Sequence, residues 1–508
     1  MNEAVNGTRR LSILVLASGT GEGLSETVKA CRMLGPAEII VLANGLAEKA
    51  AAAVSSSGCK VHVLDPALSR NRPIVVPGGF RIFANAVLYL DAEMKLEPAL
   101  LRKLVEPVLY GAAQAVFLSE DRPRQTDIYP NPERAWAVWW NRTLGRPDLR
   151  ESSLYAFPFV LSGQAADLIA GDFAANPAMG MAKLIKSGLR LERRTVLMQE
   201  ERGRSFRPEW FGGLPSETTR YDRLVADDHL SALEKLSLSP RGGHTDGKRR
   251  RDIVRQVLER KKLAVVQEGA KLPVSGLYGG KSLSVIIPAC NEAGTIAHVV
   301  RQVRRLEPAE IIVVDNGSSD HTAPLAFENG AKTVRLAEGL GTDCGRAIGA
   351  FHAKGDILLF VDADFVMSAA ELYPFALAIS RGYDVALNDR NYLLEMGIDD
   401  PVISSIYALN NALGQKALGA SSMTTVPFAI SRRVLQRVGP ECLQCPPRAL
   451  SACLSHGFKP VLAGRVYLEK RNRVRPDKHI AVSGLSPAAS QIVGDHIEAM
   501  LNLNEYNK

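Results

Sequence analysis

The sequence of 508 residues is poor in the features that mark secreted and membrane-embedded proteins. Its seven cysteines are scattered and odd in number, which argues against a disulfide framework and fits a reducing compartment. No apolar run reaches the roughly 18–20 residues that a membrane-spanning helix needs. The segment before the first hydrophobic strand at Leu11 lacks the apolar core of a signal peptide. We therefore expect a cytoplasmic protein.

Aromatic residues are scarce, at 6%, and they are not interleaved with basic residues as on a nucleic-acid-binding surface, so we expect no nucleic-acid partner. The net charge is +8, and part of the excess lies in Lys248–Arg251 and at 260–262. We interpret these runs as the solvated face of a linker, with attraction to an anionic membrane surface as the alternative. The Cys442–Cys445 pair has no second pair beside it, so no zinc site is predicted.

The most informative segment is Ile357–Asp364, a hydrophobic run that ends in two carboxylates spaced two residues apart. Consecutive large apolar residues favour a strand that is covered on both faces of a parallel sheet. Open α/β sheets bind ligands at the carboxyl ends of their strands, where Asp362 and Asp364 would lie. Carboxylate oxygens are hard ligands that suit Mg²⁺ or Mn²⁺. The segment therefore predicts a site for a metal ion carrying a diphosphate.

The segments before this strand predict a nucleotide-binding α/β half-domain. A hydrophobic strand begins at Leu283, and a helix follows with apolar residues at helical spacing from Ile296 to Val303. A second strand, 310–315, runs into an acidic turn rich in Gly and Ser, and a further helix opens at Gly345. This alternation of strands and helices is typical of α/β domains with parallel sheets.

Four segments, in this order and spacing, resemble the successive motifs of family-2 glycosyltransferases with the GT-A fold: Pro288–Ile296, Val313–Thr322, Gly345–Asp356 and Phe360–Asp364. The resemblance covers about residues 282–470. It implies transfer of a sugar from a nucleotide-diphosphate donor to an unknown acceptor, helped by Mg²⁺ or Mn²⁺. By the same resemblance, Asp362 and Asp364 hold the metal and the diphosphate, where the metal neutralises charge on the leaving group.

The resemblance also implies how the donor is held. Pro288 and Glu292 line the nucleoside pocket, and Asp315 contacts the base or the ribose, because a carboxylate accepts hydrogen bonds from N–H and O–H groups. Arg346 matches a basic residue that this family directs toward the nucleotide. Asp320 is expected to brace its own turn through bonds to the backbone.

The acceptor side departs from the family's pattern. Inverting members carry a Glu-Asp or Asp pair in which one carboxylate acts as the general base, and the corresponding region has no Glu-Asp pair. Glu441 and Asp389 are the candidate bases that remain. Whether transfer inverts or retains configuration therefore stays open. The Gln-x-x-Arg-Trp motif of processive synthases is absent, which argues against a polymerase.

The end of the resembling region adds further candidates. Retaining GT-A enzymes often use a histidine outside the core as a third metal ligand, and His479 lies at a suitable place. The arginines Arg471, Arg473 and Arg475 are candidates for clamping the donor diphosphate or a phosphorylated acceptor, and otherwise they are surface charges.

The first half of the chain repeats the second. Residues 11–45 align with 283–317 at a constant offset of 272, without a gap. After a one-residue slip, Asp91–Glu93 falls opposite Asp362–Asp364. A period this long exceeds that of solenoid repeats and indicates two tandem domains of one fold. We therefore predict an α/β protein with two tandem GT-A domains, each built on a mostly parallel central sheet.

The two copies differ where the chemistry is expected. The carboxylates at Glu292 and Asp315 are replaced in the first copy by Thr20 and Ala43. We therefore interpret the first copy as degenerate, with the fold kept and donor binding lost. The predicted organisation is a degenerate domain at 1–237, a basic linker at 238–281, the glycosyltransferase domain at 282–480 and a helical tail at 481–508.

Two other functions stay open. The missing Glu-Asp pair fits a non-catalytic sensor or scaffold that binds sugar nucleotides without turnover. The Gly-rich loop 19–23 resembles that of sugar-nucleotide pyrophosphorylases, which would make the protein bifunctional, although those enzymes place a basic residue just after the glycines. The terminal helix at 490–503 either packs on a domain or mediates assembly into a homo-oligomer.

Overall fold

A computed structural model describes residues 9–64, 84–94, 96–120, 131–196, 217–237, 239–260, 264–270, 272–273, 276–396, 400–469, 471, 475–481 and 484–503. The chain forms two compact units, Met1–Ser237 and Leu238–Lys508. Each unit contains its own sheet with helices between the strands. The predicted α/β class with mostly parallel sheets is therefore confirmed.

The N-terminal unit has a seven-stranded sheet in the order β3-β2-β1-β4-β6-β5-β7. Only β6 runs antiparallel to its neighbours among the described strands. Its strands are β1 (Leu11–Ser18), β2 (Glu38–Asn44), β3 (Lys60–Val63), β4 (Ala86–Asp91), β5 (Ala115–Glu120), β6 (Phe159–Ser162) and β7 (Leu191–Val196). Its helices are α1 (Leu24–Arg32), α2 (Glu48–Ser56), α3 (Pro98–Leu109), α4 (Pro132–Thr143), α5 (Gly163–Ala175), α6 (Pro177–Lys186) and α7 (Arg220–Lys235).

The C-terminal unit has an eight-stranded sheet. Its strands are β8 (Ala264–Gln267), β9 (Leu283–Ala289), β10 (Glu310–Asn316), β11 (Lys332–Leu336), β12 (Ile357–Phe360), β13 (Val385–Asn388), β14 (Phe428–Ser431) and β15 (Pro460–Gly464). Its helices are α8 (Arg251–Arg260), α9 (Ile296–Arg304), α10 (Thr322–Glu328), α11 (Cys344–His352), α12 (Ala369–Ser380), α13 (Tyr392–Met396), α14 (Pro401–Ala412), α15 (Arg432–Val438), α16 (Pro446–Ser455), α17 (Pro476–His479) and α18 (Pro487–Leu501).

Strand direction gathers most strand ends of the C-terminal unit at one edge. The order is β15-β13-β14-β12-β9-β10-β11-β8, in which β14 runs antiparallel to both of its neighbours and β8 is an antiparallel edge strand. The other six strands are parallel to one another. Their carboxyl ends therefore meet at one edge of the sheet, which we call the carboxyl edge.

Close packing of α11 on the sheet explains two of its glycines. A Cβ on Gly345 would lie 2.8 Å from the Cβ of Pro288, and one on Gly349 would overlap the side chain of Ile286. Because both glycines lack a side chain, α11 can rest directly on β9 and β10. The start of α11, with Arg346, is thereby brought to the carboxyl edge.

The two units share strand order and finer details. The order β3-β2-β1-β4-β6-β5-β7 of one matches β11-β10-β9-β12-β14-β13-β15 of the other. In α4, the Asn141 amide donates to two backbone carbonyls, at 2.9 and 2.8 Å, in the turn that follows. In α14, Asn410 makes the same two bonds at 2.9 and 3.0 Å. These likenesses support the predicted duplication, which stays a prediction.

The terminal helix α18 has a counterpart in the N-terminal unit, the helix α7. Both α7 and α18 carry an Asp-His pair, and in both the His ring is buried with Nδ1 2.7 Å from the carbonyl four residues earlier. The helix α18 packs against α14 and α16. The segment predicted as a tail thus contains a helix that is packed within the C-terminal unit.

The segment predicted as a linker also packs within the C-terminal unit. Its helix α8 contacts α11, and the side chain of Arg249 is fully buried in ion pairs. For Arg249, and in part for Arg251, this differs from the solvated face that we expected, because carboxylates distant in sequence neutralise these arginines, whereas Lys248 and Arg250 are exposed. None of the helices in the described ranges has both the length and the apolar character required to cross a bilayer.

Candidate functional site

Four carboxylates of the C-terminal unit follow strands that end at the carboxyl edge. Glu292 comes three residues after β9, Asp315 lies at the end of β10, and Asp362 and Asp364 follow β12 directly. Because these strands are neighbours in the sheet, their acidic ends lie side by side. The result is a concentrated negative charge at the place where α/β sheets bind ligands.

Hydrogen bonds tie the loops after β9 and β10 to each other. The backbone N–H of Asn291 donates to Ser318 Oγ at 2.9 Å, and that of Ala293 donates to Asp320 Oδ2 at 3.1 Å. Burial raises the pKa of Asp320, but bonds from Thr322 and Ala293 outweigh it and lower the pKa overall. Asp320 therefore braces the turn, as we expected, and stays ionised.

Asp315 is buried at the end of its strand, with 2% of the residue exposed. Its Oδ1 accepts from the backbone N–H of Ser318 at 3.0 Å, and its Oδ2 lies 3.4 Å from Nε of the exposed Arg335. Arg335 was not singled out in the sequence, although it stands opposite Asp315 in the register of β10 and β11. The nearby Pro288 packs under α11.

Asp362 faces a buried arginine. Arg346 Nη2 lies 3.3 Å from Asp362 Oδ1, while its Nη1 lies 2.8 Å from Asp343 Oδ1. Burial raises the pKa of Asp362; Arg346 opposes this shift, and the carboxylates of Asp364 and Asp343 add to it. A further positive charge beside Asp362 would therefore be favourable.

Asp364 has a carboxylate oxygen that is buried and accepts no hydrogen bond within the described part of the chain, namely Oδ1. The hydroxyl of Thr295 donates to the carbonyl of Ala363 at 2.6 Å and so fixes the backbone between the two aspartates. A buried polar atom without a partner costs about 1–3 kcal/mol. A divalent cation that prefers oxygen ligands would satisfy this atom and Asp362 together, so the residues fit Mg²⁺ or Mn²⁺.

Arg475 connects two of the acidic strand ends. Its guanidinium forms an ion pair with Glu292 and lies 3.7 Å from Asp364 Oδ2. Of the other two candidate clamp residues, Arg471 pairs with Glu371 at 2.7 Å, and Arg473 lies outside the described residues. Only Arg475 is thus placed at the acidic edge among the described arginines of this group.

His479 lies in α17, one turn from Arg475. Its side chain is exposed, and Nδ1 accepts a hydrogen bond from the backbone N–H of Arg475 at 2.9 Å. Among the described residues, His479, Asp362 and Asp364 do not form a group whose ligand atoms all lie within 4.8 Å of one another. The structure therefore does not bring the predicted third ligand to the acidic pair.

The two candidate bases are placed differently. Asp389 lies at the carboxyl edge just after β13, but its Oδ2 is paired with Arg465 at 2.6 Å. Glu441 lies in the short 3-10 helix Pro440–Gln444 with its side chain exposed. Within the described ranges, no hydrogen bond or ion pair connects Glu441 to the acidic edge. In the part of the chain that the structure describes, neither residue is joined to the aspartate pair by a hydrogen bond.

The N-terminal unit keeps part of this region but has Thr20 and Ala43 in place of Glu292 and Asp315. The hydroxyl of Thr27 donates to the carbonyl of Ala92 at 2.8 Å, so the carbonyl equivalent to that of Ala363 also accepts from a threonine, although Thr27 aligns with Val299 and not with Thr295. The loop with glycines 19, 21 and 23 packs closely on α2, because a Cβ on Gly21 would lie 2.8 Å from that of Ala50. The backbone at Gly21 therefore passes so close to α2 that it leaves little room for a side chain.

Comparison with known proteins finds sequence similarity across the segment that contains the acidic edge. Residues 284–438 match the sequence profile described as glycosyl transferase family 2. Glucosyl-3-phosphoglycerate synthase of Mycobacterium tuberculosis H37Rv is 33% identical over 99 residues, which are 17% of this chain and 30% of that protein. Glycosyltransferase AglJ of Haloferax volcanii is 31% identical over 110 residues, 22% of this chain and 36% of that protein. The matches thus span about a third of these curated relatives.

One solved structure is similar at the level of the backbone. It is the M. tuberculosis glucosyl-3-phosphoglycerate synthase with Mn²⁺, uridine diphosphate and glucosyl-3-phosphoglycerate. The identity is 20%, the TM-score is 0.31, and the match covers 40% of this chain and 75% of that chain. The sequence match to the family includes the strands β9, β10 and β12 and the four carboxylates that follow them. Within the C-terminal unit, residues 284–438 are thus similar in sequence to glycosyl transferase family 2.

Proposed function

We propose that the chain is a glycosyltransferase whose C-terminal unit transfers a sugar from a nucleotide-diphosphate donor with the help of Mg²⁺ or Mn²⁺. The observation that carries this proposal is the buried Oδ1 of Asp364, which accepts no hydrogen bond in the described structure and lies beside the half-buried Asp362. In a folded protein such an atom calls for a partner. A cation that bridges this pair and a diphosphate is the partner with the right charge.

The residues divide the work between nucleoside and diphosphate. Asp315 and Glu292 offer carboxylate oxygens to the base or the ribose at the ends of β10 and β9. Asp362 and Asp364 would hold the metal, which supplies positive charge to the leaving diphosphate. Arg475 would give the diphosphate a second positive group once it releases Glu292.

The acceptor is the less defined part of the proposal. The name of one relative above points to 3-phosphoglycerate as its acceptor and the name of the other gives no acceptor, so the similarity does not choose one. Asp389 lies at the same edge as the metal pair and is bound to Arg465. We propose Asp389 as the residue nearest to the acceptor, with its role as a base depending on release from Arg465.

The N-terminal unit is proposed to be a degenerate copy that does not bind the donor. Its position equivalent to Asp315 is Ala43, which lies at the end of β2 in register with Ala17 of β1. An alanine offers no acceptor to a base or ribose. The acid pair Asp91 and Glu93 survives, but without groups for the nucleoside.

Isothermal calorimetry with a panel of nucleoside diphosphates, with and without Mn²⁺, tests the proposal. We expect one nucleotide to bind only when Mn²⁺ is present and to lose at least tenfold in affinity in Asp362→Asn, as is usual when a metal ligand is altered. The matched control is Asp91→Asn, the same change in the N-terminal copy, which should leave binding unchanged. No metal-dependent binding of any nucleotide would refute the proposal.

A sensor without turnover is the second candidate. It is favoured by the ion pair that occupies Asp389, because that carboxylate is the one candidate base at the edge. Release of nucleoside diphosphate from a bound sugar nucleotide, followed with a panel of acceptors, separates the two functions. Binding without release in every case would support the sensor.

A further inference from the structure

A cluster of buried charges lies away from the acidic edge. Within the described residues, Cys445, Asp495 and Glu498 are the one group whose ligand atoms lie as close together as those of a metal site. Positive charge is already present there, because four arginines bind these two carboxylates: Arg241, Arg249, Arg251 and Arg448. The cluster is therefore an arginine–carboxylate network, and a metal ion would have to displace guanidinium groups to enter it.

Arg249 is the arginine that connects this network to the loop before α11. Its side chain is completely buried, and its two terminal nitrogens bind both oxygens of Asp495 at 2.6 and 2.8 Å. Its Nη2 also lies 2.6 Å from Asp343 Oδ2, and its Nε donates to the carbonyl of Thr342 at 3.0 Å. Arg249 thus holds the terminal helix α18 and the loop before α11 at the same time.

Asp343 carries the contact onward to the acidic edge. Its other oxygen, Oδ1, lies 2.8 Å from Arg346, and Arg346 lies 3.3 Å from Asp362. Asp343 has a left-handed backbone, with φ of 67°, in which few residues other than glycine are comfortable. Ion pairs on both sides hold it there. An unbroken series of opposite charges therefore runs from Asp495 to Asp362.

Within the described residues of the N-terminal unit, the equivalent helix α7 makes a different contact through its aspartate. Its Asp228 precedes the buried His229, as Asp495 precedes His496, but Asp228 accepts from the hydroxyl of Tyr155 at 2.8 Å. In the C-terminal unit, the equivalent aspartate, Asp495, accepts instead from Arg249, which lies in the segment before α8. The link between the terminal helix and the acidic edge is thus found in the unit that keeps the aspartate pair.

We propose that Arg249 is a positioning residue for the metal and diphosphate site, acting through Asp343 and Arg346 on Asp362. This inference rests on the proposed function, because it concerns the same site. With Arg249 removed, Asp343 would lose an ion pair that holds it in place, and Arg346 would lose the fixed partner that orients it toward Asp362. The carboxylate would then lose the contact that fixes its orientation toward the cation.

Calorimetry of uridine diphosphate binding in Mn²⁺, or of whichever nucleotide binds the wild type, tests this role in the full chain. We expect Arg249→Gln and Asp343→Asn each to weaken binding by about tenfold, the lower end for groups that orient metal ligands. The matched control is Arg251→Gln. Arg251 anchors the same terminal helix through Glu498 at 2.6 Å but is not bonded to Asp343. The affinity of Arg251→Gln for the nucleotide should stay within about twofold of the wild type, even if its melting temperature falls as much as that of Arg249→Gln.

Arg249→Lys adds a readout that a purely structural role would not move. Lysine keeps the charge but cannot bind Asp495 and Asp343 with a planar fork, so we expect partial recovery of affinity. Where Arg249→Gln does not fold, Asp343→Asn decides the matter. Equal losses in Arg249→Gln and Arg251→Gln, or wild-type affinity in Asp343→Asn, would overturn the inference alone. A wild-type protein that binds no nucleotide would overturn the proposed function and this inference together.

Discussion

Arg475 and Asp364 show how single residues balance charge at the acidic edge. Arg475 binds Glu292 and approaches Asp364 at 3.7 Å, yet Asp364 Oδ1 accepts no hydrogen bond in the described structure. One guanidinium thus compensates part of the negative charge. The remainder is what a divalent ion would neutralise, so Arg475 and the ion are expected to compete for the same carboxylates.

Replacement of Arg475 by alanine tests this competition. We expect Arg475→Ala to bind Mn²⁺ alone about two- to fivefold more tightly, since a partly exposed ion pair contributes up to about 1 kcal/mol. Nucleoside diphosphate should bind more weakly, because it loses a cation. Calorimetry with each ligand separately measures both effects. Arg471→Ala, which breaks a pair with Glu371 instead, serves as the control, and a weaker Mn²⁺ affinity in Arg475→Ala would contradict the expectation.

At the scale of the element, α18 combines packing with a buried titratable group. His496 is fully buried, its Nδ1 lies 2.7 Å from the carbonyl of Ile492, and its Nε2 has no partner within the described residues. Burial lowers the pKa of His496 from 6.5 to about 4, with the bond to Ile492 opposing the shift. The helix α18 is therefore packed in the folded unit with the imidazole of His496 in its neutral form.

Acid should weaken the C-terminal unit through this residue. Between pH 6.5 and 4 the unfolded chain takes up a proton that the folded chain does not, so the free energy of unfolding falls as the pH falls through this range. The loss amounts to about 3 kcal/mol. The free energy of unfolding, measured with urea at pH 7 and pH 4.5, should differ less between the two pH values in His496→Leu than in the wild type. The exposed His456→Leu is the control, and an unchanged pH effect in His496→Leu would disprove the expectation.

At the scale of the whole molecule, the C-terminal unit begins well before the segment that matches the family, and its stability depends on the residues in between. The family match begins at residue 284, and the predicted domain began at 282. The unit itself begins near 238, and Arg241, Arg249 and Arg251 in that segment neutralise Asp495 and Glu498. Those two carboxylates are buried, so their charge depends on a segment that lies outside the family match.

Two fragments test where the domain begins. We expect 239–508 to unfold cooperatively, and 282–508 to lose at least about 3–5 kcal/mol, because a buried charge without its partner is strongly destabilising. Circular dichroism during thermal unfolding measures the difference. Asp495→Asn with Glu498→Gln in 282–508 should recover part of the stability, because it removes the unpaired charges. Equal stability of the two unmodified fragments would contradict the expectation.

The sequence by itself determined the core of the fold and the acidic edge. Hydrophobic strands that end in Asp315 and Asp362 form parallel neighbours, and parallel strands bring their carboxyl ends to one edge. The apolar spacing from Ile296 to Val303 likewise predicted the buried face of α9. These features are local, so a pattern within one segment contains them.

Only the tertiary structure decided which charges are paired and which are available. Arg475 meets Glu292 across 183 residues, and Arg249 meets Asp495 across 246. Asp389, a candidate base by sequence, is bound to Arg465, and His479 is not brought to the aspartates. Strand order and the packing of α18 create these contacts. A charge's environment depends on what the fold brings beside it, and no local pattern contains that information.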